Sequence, residues 1–264
     1  MVKINGQTFI VSGGASGLGL GAVQEIVAAG GSVAIIDRDA SAEQKVVNEL
    51  GADKCQFYET DVGSSESIAK AVSSIVEWVG KTGRPLGGVV TAAGIGIPTM
   101  AISEDGEPLN MEHWDTVFRV NVRGSIALAT QLLPHWTQAA KATPDADHGA
   151  IIFISSITAF EGSHRMAAYS SSKAALMGAV LPLARDLSPH GIRVVAISPG
   201  AFQTPLYERL PEPIKADQIR SIAFPKRPGN PRQHFAPLVK HVLENEYING
   251  TTLRIDGSMR TPWP

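Results

Sequence analysis

Seven short apolar runs recur along this chain at intervals suited to strand–helix alternation. They are Thr8–Ser12, Ser32–Asp37, Cys55–Glu59, Gly88–Thr91, Ala150–Ser155, Arg193–Ser198 and Thr252–Ile255. Several are continuously apolar, as in Val33-Ala34-Ile35-Ile36 and Ile151-Ile152-Phe153-Ile154. A strand with one wet face alternates apolar and polar residues, whereas one covered on both faces has no need to. Helical stretches fall between them, at Leu18–Ala29, Ser65–Val79, Glu112–Gln138 and Ala167–Leu187. The pattern predicts a seven-stranded parallel sheet, doubly wound, with helices on both faces.

The 264 residues suffice for one large α/β domain or two small ones. No shift in composition divides them, so a single domain over residues 1–264 is expected. A net charge of -2 provides no basic stripe, which argues against nucleic acid or an anionic membrane as partner. No apolar run is long enough to span a bilayer. The first residues lack a signal-peptide apolar segment and the last ones lack a lipidation signal, so the cytosol is the expected location, with the mitochondrion as the alternative. The single cysteine, Cys55, cannot form an internal disulfide and reads as a strand-edge residue. HExxH, CxxC and paired-histidine patterns are absent, so no metal site is expected.

Directly after the first strand stands Ser12-Gly13-Gly14-Ala15-Ser16-Gly17-Leu18-Gly19. Glycine weakens regular elements, so a cluster marks a tight turn or a close backbone approach. At a strand–helix junction such a loop aims backbone N–H groups at a pyrophosphate, and the helix dipole adds to the attraction. Asp37 closes the second strand eighteen residues after Gly19, where a carboxylate can accept hydrogen bonds from ribose hydroxyls.

A second constellation is Tyr169-Ser170-Ser171-Ser172-Lys173. Residues four apart share one helix face, so Tyr169 and Lys173 project together. An ammonium near a phenol favours the phenolate and lowers a pKa that is ordinarily about 10. Such a tyrosine can exchange a proton with an alcohol or a carbonyl. Ser155-Ser156 ends a buried strand upstream, where open α/β sheets bind ligands.

With these motifs in place the chain resembles the short-chain dehydrogenase/reductase family along essentially its whole length. The family's glycine loop matches Ser12–Gly19, with Ser12, Gly13, Ser16, Gly17, Leu18 and Gly19 as cofactor contacts. The resemblance implies a Rossmann-like fold, NAD as cofactor, and Asp37 as its ribose ligand. It places Asp61 and Val62 at the adenine, and Ala93 and Gly94 in the segment Thr91-Ala92-Ala93-Gly94. It implies a catalytic set of Asn121, Ser156, Tyr169 and Lys173; Ser156 is chosen over Ser155 because it lies thirteen residues before the tyrosine. Lys173 would also bind the nicotinamide ribose, and Asn121 would hold a water linking Lys173 to solvent. Pro199, Gly200 and Thr204 complete the cofactor set, and a homotetramer is implied.

Stretches such as Ala159-Phe160-Glu161-Gly162 and Gly200-Ala201-Phe202-Gln203-Thr204-Pro205-Leu206 are similar to members acting on 3-hydroxyacyl-CoA thioesters and hydroxysteroids. The small-molecule substrate is the open question. Two proline-containing segments, Ile97–Leu109 and Ala201–Asn230, stand outside the strand–helix rhythm, and long ordered loops are often lids. Segment 201–230 is expected to cover the nicotinamide end. Phe202, Leu206, Tyr207 and Leu210 would form an apolar wall beside Ser156 and Tyr169, with Lys215, Arg220, Lys226 and Arg227 at the rim or as a solvated face. Glu104, Asp105 and Glu107 oppose a CoA phosphate. The alternatives are a dehydrogenase of a specialised hydrophobic alcohol or ketone, an epimerase or dehydratase using the same tyrosine and lysine, and a non-catalytic NAD-binding scaffold. A polar insertion at Lys141–His148 reads as a surface loop.

Overall fold

A computed structural model describes residues 4–140 and 146–260. Most of the expected loop at 141–148 and the last four residues of the tail therefore lie outside the described residues. Seven parallel strands are present: β1 (Thr8–Ser12), β2 (Ser32–Asp37), β3 (Cys55–Glu59), β4 (Leu86–Thr91), β5 (Gly149–Ile154), β6 (Ile192–Pro199) and β7 (Thr251–Ile255). Their order in the sheet is β3-β2-β1-β4-β5-β6-β7. The chain winds outward in both directions from the β1/β4 pair, and the crevice at such a reversal is where open α/β sheets hold ligands.

The helices are α1 (Gly17–Ala28), α2 (Glu43–Leu50), α3 (Ser65–Thr82), α4 (Met111–Phe118), α5 (Ser125–Ala140), α6 (Thr158–Glu161), α7 (Ala167–Leu187), α8 (Pro205–Glu208), α9 (Glu212–Ser221) and α10 (Ala236–Glu244). Successive strand residues point to opposite faces and build two cores. Phe9, Val11, Val33 and Ile35 pack with Val23 and Ile26 of α1 and Val239 and Leu243 of α10. Ile10, Ala34, Ile36 and Val89 pack with Ile75 of α3, Leu132 of α5 and Leu176 and Val180 of α7. Burial on both sides is why these strands carry no polar alternation.

The helix expected over Glu112–Gln138 runs from Met111 to Ala140 through a π-helical segment at Arg119–Gly124. Such bulges cluster at functional sites because they turn a side chain out of helical register. Gly124 ends the bulge against β3's following loop; a Cβ there would sit 2.4 Å from the Val62 carbonyl oxygen. Segment 201–230, expected to be loop, contains α8 and α9. Its prolines start these helices rather than prevent them: Pro205 and Pro213 occupy the first turn, where no N–H donor is needed.

One buried charge fastens the far end of the sheet. Arg193 of β6 reaches both carboxylate oxygens of Asp147 (3.0 and 3.2 Å) and the carbonyls of Val242, Leu243 and Ile248. An arginine 5% exposed is tolerated because its donors are met, and two of those carbonyls lie at the negative end of α10.

Candidate active site

The glycine loop leaves β1 at the sheet's reversal point. Ser12 is buried and its hydroxyl accepts the Ala93 N–H (3.3 Å), which ties the ends of β1 and β4. Three glycines are dictated by close approach. A Cβ on Gly13 (φ 67°) would lie 2.8 Å from the Ala93 nitrogen, and one on Gly19 would lie 2.1 Å from the Gly13 carbonyl oxygen. Gly17 (φ 53°) is pressed against the Thr204 side chain. Ser16 precedes α1 in extended conformation and its side chain makes no capping bond. The helix N-terminus thus keeps the donors that a serine cap would take. Leu18 anchors the first turn in the core.

Asp37 sits at the carboxyl end of β2 and faces this loop: its Oδ2 accepts the Ala15 N–H (3.1 Å) and its Oδ1 the Asp39 N–H (3.2 Å). Asp61, after β3, accepts the Gly63 N–H (2.8 Å), and Val62 beside it packs into the second core. Thr204 caps α8 by accepting the Tyr207 N–H (3.2 Å). Pro199 accepts the Ile157 N–H, and Gly200 is held by the Ile255 carbonyl (both 3.0 Å). These residues make one continuous rim along the carboxyl ends of β1–β6. A cradle that any side chain would fill, next to an uncapped helix N-terminus and a carboxylate at the end of β2, fits a nicotinamide dinucleotide.

At the other end of the rim, the two serines after β5 part company. The Ser155 hydroxyl donates to the Lys173 carbonyl (2.9 Å) within the core. The Ser156 hydroxyl accepts the Thr158 N–H (3.2 Å) and the Thr158 hydroxyl (3.1 Å), and Ser156 favours the ionised form of the Tyr169 phenol. Lys173 is buried, its Nζ donating to the Ile154 carbonyl (2.8 Å) and lying 5.7 Å from the centroid of the Tyr169 ring. Desolvation lowers its pKa from 10.5 to about 8.

The expected depression of the phenol does not hold in the cofactor-free geometry. Burial pushes the Tyr169 pKa up, and it is Ser156, rather than Lys173, that pulls it back down. The ammonium is itself desolvated and turned to a carbonyl, which reduces its hold on the ring.

Asn121 lies in the π-helical bulge and is fully buried. Its Oδ1 accepts the Ile95 N–H (2.8 Å), and its Nδ2 donates to the Ile95 carbonyl (2.9 Å) and to Ser172 Oγ (3.0 Å). Both amide protons are therefore engaged by protein. Ser172 in turn donates to the Tyr169 carbonyl (2.7 Å), so one serine couples the bulge to the turn bearing Tyr169 and Lys173. Gly94 sits between them: a Cβ there would be 3.2 Å from both Asn121 Oδ1 and Lys173 Nζ. Neither Ser172 nor Ile95 stands out in the sequence, because Ser172 is one of three adjacent serines and Ile95 acts through its backbone.

The expected substrate wall is not assembled as a unit. Phe202 turns into the core, where its ring meets Phe235 edge-on (6.1 Å) and covers Gly229. Tyr207 is buried with Lys215 over its ring (5.9 Å), Leu210 is half-buried and Leu206 is exposed. Half of the basic rim is neutralised, since Lys215 pairs with Glu212 (2.9 Å) and Glu208 (3.5 Å), and Arg220 pairs with Asp217. Segment 97–109 folds as a small hairpin, bridged at Ile102–Pro108 with Gly106 in its turn and Glu104, Asp105 and Glu107 exposed. Thr99 anchors it by bridging to Met166, just before Tyr169. Cys55 is buried at the start of β3 and its thiol is pushed up to about 11, the opposite of a nucleophile's environment.

Residues 7–215 match the family described as short chain dehydrogenase. The chain belongs to that family. It is 35% identical over 261 residues to human 3-hydroxyacyl-CoA dehydrogenase type-2, covering 98% of this chain and 97% of the relative. Among solved structures it is similar to 3-hydroxyacyl-CoA dehydrogenase type-2 from Mycobacterium avium, with a TM-score of 0.87, 33% identity and 99% of each chain covered. It is also similar to 3-ketoacyl-(acyl-carrier-protein) reductase from Brucella melitensis complexed with NADH, with a TM-score of 0.82, 27% identity, and 97% of this chain and 100% of that one covered. This family member is an oxidoreductase that interconverts secondary alcohols and ketones with a nicotinamide cofactor. No helix among the described residues is long and apolar enough to cross a membrane.

Proposed function

We propose that this chain is an NAD-dependent dehydrogenase of 3-hydroxyacyl thioesters, with Ser156, Tyr169, Lys173 and Asn121 as its working set. The observation that carries the chemistry is Lys173, buried one turn from Tyr169 on the same helix with its Nζ 5.7 Å from the ring centroid, and Ser156 favouring the phenolate. When bound, the nicotinamide supplies the hydride acceptor for oxidation and the donor for reduction. Ser156 holds the substrate oxygen, and Tyr169 takes the alcohol proton in oxidation and returns it in reduction. Ser156 favours the phenolate that forms, and Lys173, one turn along, would hold the nicotinamide ribose. Asn121, bound to Ile95 and Ser172, keeps the Lys173 turn in place against Gly94.

The glycine cradle and the N-terminus of α1 would hold the pyrophosphate, and Asp37 the adenosine ribose. A carboxylate there favours NAD over NADP, because two like charges about 4 Å apart repel by about 4 kcal/mol at an effective dielectric of 20. Full-length similarity to two 3-hydroxyacyl-CoA dehydrogenases supports the thioester. The paired lysine and arginine of segment 201–230 and the acidic hairpin favour a second reading, an uncharged hydrophobic alcohol. Segment 201–230 serves as the lid in either case. A homotetramer is part of the proposal; it is supported by β7, an edge strand left half-exposed, and by Tyr247, 97% exposed just before it.

The deciding experiment is dinucleotide reduction with 3-hydroxybutyryl-CoA against an uncharged alcohol of similar length, each with NAD and with NADP. Turnover of the alcohol alone replaces the thioester reading, and equal efficiency with both dinucleotides overturns the role of Asp37. Light scattering at micromolar concentration that returns a monomer mass overturns the tetramer.

A further inference from the structure

We propose that Thr158 is a positioning residue for the reaction: its hydroxyl and its backbone N–H fill both acceptor sites of Ser156, so that the Ser156 proton points to Tyr169 and the substrate oxygen. A serine hydroxyl has two acceptor sites and one proton. The Thr158 N–H, 3.2 Å from Ser156 Oγ, can only donate and takes one of those sites. Thr158 Oγ1, 3.1 Å from the same oxygen, takes the other when it donates. The single proton of Ser156 then has one direction left, outward. Were Thr158 the acceptor, the Ser156 proton would be drawn inward, and Ser156 could only accept from the phenol.

Two observations favour the donating arrangement. First, Thr158-Ala159-Phe160-Glu161 has the spacing of a helix cap, the ordinary use of a threonine here. The structure does not use it so: α6 begins at Thr158 itself, so Thr158 is not the residue before the helix, and its own N–H is met by Ser156 Oγ. The Thr158 hydroxyl faces Ser156 instead. Second, Thr158 Oγ1 donates to Ser156 Oγ, and an outward Ser156 proton agrees with Ser156 favouring the phenolate of a tyrosine that burial pushes up. Lys173 is the charged group against Tyr169 on its own helix. Gly96, which lies against the ring from the β4 loop, carries no charge.

This inference rests on Ser156 and Tyr169 being the acid–base pair proposed above, and its test separates the two. Tyrosine ionisation is followed by ultraviolet absorbance in the cofactor-free protein, with Tyr169 isolated by subtracting the Tyr169→Phe curve. Thr158→Val keeps the shape of the side chain and removes the hydroxyl; the Tyr169 ionisation should move up by about one pH unit, equivalent to about tenfold. The turnover number should fall about tenfold with KM for the alcohol within about twofold, the split expected of a group acting in the transition state. Thr158→Ser, which retains the hydroxyl, should restore both. An unshifted ionisation in Thr158→Val, or equal losses in the valine and serine variants, overturns the proposal. If the valine variant does not fold, Thr158→Ala against Thr158→Ser carries the same comparison. The titration needs no substrate, so it stands even if 3-hydroxyacyl thioesters are not turned over. Full turnover in Tyr169→Phe would overturn the proposed function instead.

Discussion

The loop after β1 and the segment after β6 meet at the same end of the sheet, where Gly17 touches Thr204, yet they are built by opposite means. The first is made of backbone. Gly13 and Gly19 are fixed by main-chain atoms closer than any Cβ could approach, and Asp37 joins them through an N–H of the loop itself. The second is made of side chains whose roles depend on which way they turn. Phe202 fills the core while Leu206, four residues on, stands 52% exposed. A site built from backbone leaves its signature in residue type, because only glycine fits. A site built from side chains leaves only an apolar composition that core and pocket share.

The largest effect expected from breaking this contrast lies on the side-chain half. Phe202→Ala should cost about 3–5 kcal/mol, as for other buried phenylalanines, measured by denaturant unfolding. Leu206→Ala should leave stability within about 0.5 kcal/mol and raise KM for the substrate. If Phe202→Ala keeps full stability and changes only KM, Phe202 belongs to the pocket after all.

Next comes Tyr169→Phe, with turnover lowered at least about a hundredfold, the scale of general acid–base catalysis. Dinucleotide affinity, read by fluorescence titration, should stay within about twofold. A joint loss of binding and turnover would mean that the two halves of the site cannot be separated.

On the backbone half, Gly19→Ala should cost about 2 kcal/mol of dinucleotide affinity, since the new Cβ meets a carbonyl oxygen that cannot rotate away. Gly80→Ala is the contrast: nothing lies within 4 Å of its Cβ on α3, so it should stabilise the fold by about 0.5–1 kcal/mol. Unchanged affinity in Gly19→Ala would remove the steric argument for the cradle.

The last effect is the one that depends most on pH. With its pKa lowered from 10.5 to about 8, Lys173 binds fewer protons folded than unfolded between those values. Its contribution to stability therefore rises with pH through that window and is least favourable below about 8. Lys173→Met should stabilise the cofactor-free protein by about 1–2 kcal/mol at pH 7, after the lost bond to the Ile154 carbonyl is offset. Above pH 10.5 the gain should become a small loss. Cys55 and Tyr58, raised to about 11 and about 12, oppose the trend at alkaline pH but cancel when variant and parent are compared. Thermal melts across pH 6–11 that show a constant difference would contradict the buried-ammonium account.

All seven strands stand within about two residues of where the apolar runs put them; the inner five are buried on both faces, which forces an unbroken pattern. The helices α2, α6, α8, α9 and α10 were not legible. Three of them have proline in the first turn, and the same residue type ends one element and starts another depending on its place within the turn. The glycine cradle, Asp37 and the Tyr169–Lys173 spacing were legible; Ser172 and Thr158 were not.

By itself the sequence determined the features set by backbone geometry and periodicity: a seven-stranded parallel sheet, the glycine cradle at its reversal, and a tyrosine and lysine on one helix face. Only the tertiary structure decided what each of several chemically equivalent side chains would meet. Ser155 and Ser156 are adjacent and identical, yet the first binds a carbonyl of α7 inside the core and the second meets Thr158 at the start of α6. Ser170 and Ser172 flank one residue of the same helix, yet the Ser170 hydroxyl finds no hydrogen-bond partner among the described residues while that of Ser172 holds Asn121. Residue type limits the bonds a side chain can make. The partner is set by the element packed opposite, which local sequence does not specify.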